Sequence, residues 1–77
     1  MMITLSYAER LILRDIKKNI NEQAERVEDV LISFMDRYEG VELDNVSSMN
    51  KAYKISVLEE YKSKLIELSE KTERLVL

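Results

Sequence analysis

The chain has 77 residues, with 12 Lys and Arg against 15 Asp and Glu, one Gly, and no His, Cys or Pro. That length makes one small domain, in the range where a single core contributes roughly 3–5 kcal/mol and regular helix packing or self-association must add the rest. Disulfides are excluded, a zinc site lacks its usual ligands, and the commonest general base and the best nucleophile are both missing.

Hydrophobic residues make up 45% and charged residues 35% of the sequence, a balance typical of a folded chain rather than a disordered one. Met1–Arg10 holds neither a basic n-region nor a long apolar run, so the reading is a cytoplasmic protein with no signal peptide and no membrane span.

Ser6-Tyr7-Ala8-Glu9 has the spacing of a capping box, in which a serine oxygen and a glutamate carboxylate satisfy two otherwise unpaired helix amides. Beyond it, Ile12, Ile16, Ile20, Ala24, Val27, Leu31, Phe34 and Tyr38 recur at steps of three or four, the helical period. One helix over about 7–38 follows. Asn19-Ile20-Asn21-Glu22 offers a second capping box, at which that helix could instead kink or break.

Gly40 suits the left-handed position past a helix end, and Ser47 and Ser48 suit the N-cap of a second helix, giving a turn over about 39–48. Within it, Val41, Leu43 and Val46 alternate with polar residues and are expected to fold inward. The second helix is predicted over about 49–75, with Leu58, Tyr61, Leu65, Leu68, Thr72 and Leu75 as a heptad-like seam. A short connection between long helices favours an antiparallel pair.

The fold class is therefore all-α, a two-helix antiparallel hairpin forming one domain. Leu11-Ile12-Leu13, Val30-Leu31-Ile32 and Phe34-Met35 spread apolar surface around the first helix beyond one stripe. A two-helix contact covers only a stripe, so a homodimeric four-helix bundle is the expected assembly.

No catalytic or phosphate-loop signature is present, and a thin hairpin offers little concavity, so an enzyme is not expected. No metal or cofactor is called for. Asn45-Val46-Ser47 matches a glycosylation sequon, but simple turn and cap chemistry accounts for it. The acids after Gly40 do not follow calcium-loop spacing.

Charge is more informative. Residues 1–20 hold four basic and two acidic groups, whereas residues 21–47 hold two basic and eight acidic. Glu22, Glu25, Asp29, Asp36 and Glu39 fall on the outer face of the first helix. Glu25 and Asp29 form a like-charge pair one turn apart, and Glu22 has Arg26 within reach. A solvated face is the plain reading. The sharper one is a docking face for a basic protein partner, with Met49, Tyr53 and Ile55 of the second helix as an apolar supplement.

Tyr7, Arg10, Arg14 and Lys17 form a basic arc, with Lys18 beside it. Guanidinium groups can grip phosphate in bidentate fashion and a tyrosine ring can stack on a base, so a nucleotide is the alternative ligand. Four charges are too few for duplex nucleic acid. Over Leu5–Lys17 the pattern resembles phage helical-hairpin proteins that sequester cyclic nucleotide signals, across one helix and through cap and stripe residues, which assigns no family. The functional expectation is a small non-enzymatic adaptor or inhibitor that self-associates and binds another protein. A sequestering protein for an anionic ligand is the alternative, and a structural assembly protein a third.

Overall fold

Uninterrupted helical periodicity, with no proline and the only glycine at position 40, leaves one place where the chain can reverse. The computed structural model, which describes residues 3–76, has two helices, α1 (Tyr7–Arg37) and α2 (Asn45–Val76), packed as an antiparallel hairpin. At 62 × 20 × 12 Å it is a thin rod, and its radius of gyration of 18.0 Å far exceeds the roughly 11.5 Å of a compact domain this long.

The start of α1 is the expected capping box. Ser6 Oγ accepts from the Glu9 backbone N–H at 3.1 Å, and Glu9 Oε1 accepts from the Ser6 N–H at 2.7 Å. Those hydrogen bonds, the backbone one first, hold the Glu9 carboxyl below its ordinary range. α1 then runs through Asn19–Asn21 as one helix, without the alternative break.

In the turn, Gly40 adopts φ +71°, the left-handed conformation that other residues reach only with strain. The second helix begins earlier than the serines suggested. Asp44 supplies the cap, its Oδ1 accepting from the Ser47 N–H at 2.7 Å, so Ser47 lies inside the first turn. Only Leu43 of the three expected plug residues is half-buried; Val41 and Val46 are exposed.

The seam is where sequence and structure differ most. On α1 the residues facing α2 are Arg10, Leu13, Lys17, Ile20, Ala24, Val27, Leu31, Phe34 and Tyr38, alternating steps of three and four throughout. The expected run began instead with Ile12 and Ile16, which are 61% and 42% exposed. The cause is geometric: each step of four advances 400°, so a run of fours drifts about 40° per step off a straight seam. Alternating threes and fours average 3.5 and stay on it, as in left-handed helix pairs.

On α2 the seam is Lys51, Ile55, Leu58, Lys62, Leu65, Ser69, Thr72 and Val76. Leu58, Leu65 and Thr72 were expected there. Tyr61, Leu68 and Leu75 were also expected, yet they are 54%, 51% and 58% exposed, each replaced by the residue one position on. Two phases of one heptad competed, and in the polar-looking one that packs inward Ser69 and Lys62 find partners on α1.

Those partners set the register. Lys17 Nζ lies 3.0 Å from Glu73 Oε2, Ser69 Oγ donates to Asn21 Oδ1 at 2.6 Å, and Lys62 pairs with Glu28. Every step forward on α1 is matched by an equal step back on α2. Thr72 caps its own need by donating to the Leu68 carbonyl at 2.8 Å. Phe34 and Tyr38 stack in a tilted pair, centroids 5.1 Å apart, closing the turn end.

Only Ala24, Leu31 and Val76 are buried hydrophobics among the described residues. Leu31→Ala should therefore cost about 2 kcal/mol, the low end for a core leucine because this seam is open to solvent. Exposed Ile12→Ala should change hairpin packing far less; chemical denaturation of both variants checks the contrast.

The Asp44 carboxyl is also held below its ordinary value of 3.8, by the Ser47 backbone hydrogen bond before any other cause. A carboxyl depressed on folding stabilises above its unfolded value and loses that contribution as pH falls through the folded one. At neutral pH Asp44→Asn should melt below the parent chain. The gap should close as pH drops below 3.8, as melting temperature against pH will read.

Candidate functional site

A hairpin whose seam uses one stripe of each helix leaves two long flanks and two outer backs, and most candidate residues lie on one of these, with Arg10, Lys17 and Ile55 on the seam. Heptad position assigns them. One flank carries the side chains around Asn21, Glu28 and Met35 on α1 and Ala52, Ile66 and Glu73 on α2. The opposite flank carries Ile16, Val30 and Arg37 on α1 and Lys54, Tyr61 and Leu68 on α2.

The acidic candidates keep together. Glu22, Glu25, Asp29 and Asp36 are all exposed along the back of α1, continued by Glu39 in the turn. The four ion pairs among the described residues are Lys17–Glu73, Glu28–Lys62, Glu60–Lys64 and Glu67–Lys71, so none involves this array, and Glu22 does not pair with Arg26. The result is an uncompensated negative strip.

The apolar supplement divides. Met49 and Tyr53 project to solvent, but Ile55 is half-buried on the seam, where it lines a shallow cleft with Met35, Asp36, Glu39 and Lys51. Ile55 therefore belongs to the hairpin interior, not to the surface that Met49 and Tyr53 offer.

The basic arc divides as well. Tyr7 and Arg14 are exposed on the first flank, whereas Arg10 and Lys17 turn toward α2. Lys17 is occupied by Glu73. Arg10 lines a cleft at the open end with Ile3, Thr4, Leu5, Arg74 and Leu75, and its Nε is buried without a hydrogen-bond partner among the described residues. Sequence spacing missed Arg74 because it comes from the other end of the chain; only the antiparallel return brings it beside Arg10.

On α2, Glu60–Lys64 at 2.9 Å and Glu67–Lys71 at 3.1 Å are exposed pairs one turn apart. Hydrogen bonding across the first lowers the Glu60 pKa and raises that of Lys64. Such pairs contribute little to stability at the surface, but they neutralise this helix where α1 stays acidic.

Chemically, the described residues offer faces rather than an enclosed site. No group of three or more His, Cys, Asp or Glu among them is placed to hold a metal ion. No described helix is long and apolar enough to cross a membrane.

The unpaired acids should be felt energetically. Like charges one turn apart cost a few tenths of a kcal/mol each, so Glu25→Lys should raise the melting temperature slightly at low ionic strength. Added salt should shrink that gain, because it screens the same repulsion; a thermal melt at two salt concentrations distinguishes this from a packing effect. No protein-family model, no curated protein and no solved structure matches the chain.

Proposed function

We propose that the protein is a non-enzymatic interaction module: a helical hairpin that self-associates and presents its acidic back to a basic protein partner, as an adaptor or inhibitor would. One observation carries the reading. The described residues bury three hydrophobic side chains, leave seventeen large ones exposed, and include no ion pair to Glu22, Glu25, Asp29 or Asp36 along the back of α1. Monomers that act alone seldom expose apolar surface on that scale, and uncompensated charge of one sign steers association with the opposite sign.

The division of labour follows from position. Apolar side chains crowd the flanks, where a second hairpin would complete a four-helix bundle, and the acidic strip lies on the back, which such a bundle leaves in solvent. Met49 and Tyr53, exposed near the turn, widen the surface available to a partner.

Reversal of charge tests the acidic face. The double variant Glu25→Lys/Asp29→Lys should abolish capture of a basic partner from the native host while keeping helical content and oligomeric mass. Undiminished capture would remove the acidic back from the proposal.

A second reading has one observation in its favour: Arg10 and Arg74 share the open-end cleft, with the Arg10 Nε unsatisfied among the described residues. Two guanidinium groups beside an apolar lining suit a small anion such as a nucleotide phosphate. A bound ligand stabilises the folded state by mass action. A nucleotide panel that leaves the melting temperature unmoved at high concentration would therefore exclude this reading.

A further inference from the structure

The flank opposite the Lys17–Glu73 and Glu28–Lys62 pairs is the more apolar of the two. It gathers Ile12, Ile16 and Val30 from α1 with Tyr61, Leu68 and Leu75 from α2, all exposed. We propose that this flank is the face on which a second copy of the chain docks, in an antiparallel, two-fold arrangement centred on Gln23 and Leu68. The proposal rests on the self-association inferred above and specifies its surface and direction.

The argument is one of self-complementarity. A two-fold interface is isologous, so whatever lies a given distance on one side of the axis must suit what lies the same distance on the other. Along α1 this flank reads Glu9, Ile16, Gln23, Val30 and Arg37, spaced by seven. About Gln23, Ile16 and Val30 are equidistant at about 10.5 Å, and Glu9 and Arg37 at about 21 Å. Reversal of a second copy thus sets Ile16 against the partner's Val30 and Glu9 against the partner's Arg37, apolar on apolar and acid on base.

Along α2 the same operation works independently. Tyr61 and Leu75 are each seven residues from Leu68, so Tyr61 meets the partner's Leu75 and Leu68 meets itself. The two axes coincide because the hairpin register, fixed by Lys17–Glu73, Asn21–Ser69 and Glu28–Lys62, puts Gln23 within one residue of the level of Leu68.

Charge also rejects the other two-fold choice. With the hairpins parallel, each α1 would lie on the partner's α2, setting Arg37 against the partner's Lys54 and Gln23 on the partner's Leu68. Within one hairpin, Arg37 and Lys54 already lie at nearly one level on this flank, and neither has an ion pair among the described residues. The antiparallel copy brings a carboxylate to that end; the parallel one adds more positive charge. Lys64 borders the face and would approach the partner's Lys71, but each lysine is already paired with a glutamate of its own helix.

The size is sufficient. From Glu9 to Arg37 the face is about 42 Å long, and the hairpin is 20 Å across. That footprint is on the order of the ~800 Å² per partner found in stable complexes.

The chain has no native cysteine, so introduced thiols report contacts directly. Gln23→Cys and Leu68→Cys lie on the axis and should each cross-link to themselves under oxidation or with a short bismaleimide. Ile16→Cys alone should stay uncross-linked and link only when mixed with Val30→Cys. Leu68→Glu should weaken the dimer by about tenfold or more, read by sedimentation equilibrium, and Glu9→Lys combined with Arg37→Glu should dimerise better than Arg37→Glu alone. A parent mass of 9.1 kDa would overturn both this proposal and the self-association it rests on. A parent dimer in which Leu68→Cys fails to cross-link and Leu68→Glu leaves the mass unchanged would overturn this face alone.

Discussion

The register between the two helices is the constraint on which everything else depends. A seam of small and aliphatic side chains alone would tolerate a slip of one heptad, since Leu58, Leu65 and Leu31 are interchangeable in kind. Three polar contacts, Lys17–Glu73, Asn21–Ser69 and Glu28–Lys62, are not interchangeable. A slip of one heptad would break all three, setting Lys62 against Met35 in one direction or Glu28 against Ile55 in the other, and unmet polar groups in a seam cost more than the met ones contribute. Specification of register is the best attested use of polar residues between helices.

That register propagates outward. It places Arg74 beside Arg10 at the open end and aligns Gln23 with Leu68 on the apolar flank. It also sends Tyr61, Leu68 and Leu75 outward, because Lys62, Ser69 and Val76 take the seam. α2 thus uses its less hydrophobic heptad phase internally and displays the more hydrophobic one. A chain that had to be stable alone would do the reverse, which is why the thin seam and the proposed second copy belong to one account.

Electrostatics divides the surface in a compatible way. On α2, Glu60 and Glu67 pair with lysines one turn on, while among the described residues the acids on the back of α1 have no ion pair. A surface can keep net charge of one sign for solubility, but the same strip is what a basic partner would meet first. Apolar flanks for assembly and a charged back for recognition need not compete for the same residues.

Much of the architecture was legible in the residues themselves. The capping box at Ser6–Glu9, the left-handed Gly40 and the absence of proline are local signals, each acting over a few residues, and they fixed helix, turn and helix. The cap of α2 was misplaced to the serines because Asp44 and Ser47 are both competent caps, and only the path out of the turn chooses between them. The seam could not be chosen from one helix at a time. Ile12-Ile16-Ile20 is the more hydrophobic run, yet it drifts about 40° per step from a straight contact, and the preferred phase of α2 depends on what α1 places opposite it. By itself the sequence determined the elements, their antiparallel order, the missing chemistry and the acidic strip. Which face of each helix turns inward, and so which surfaces remain for partners, was decided by pairing between residues far apart in the chain, 34 positions at the least for Glu28–Lys62, a property no local pattern contains.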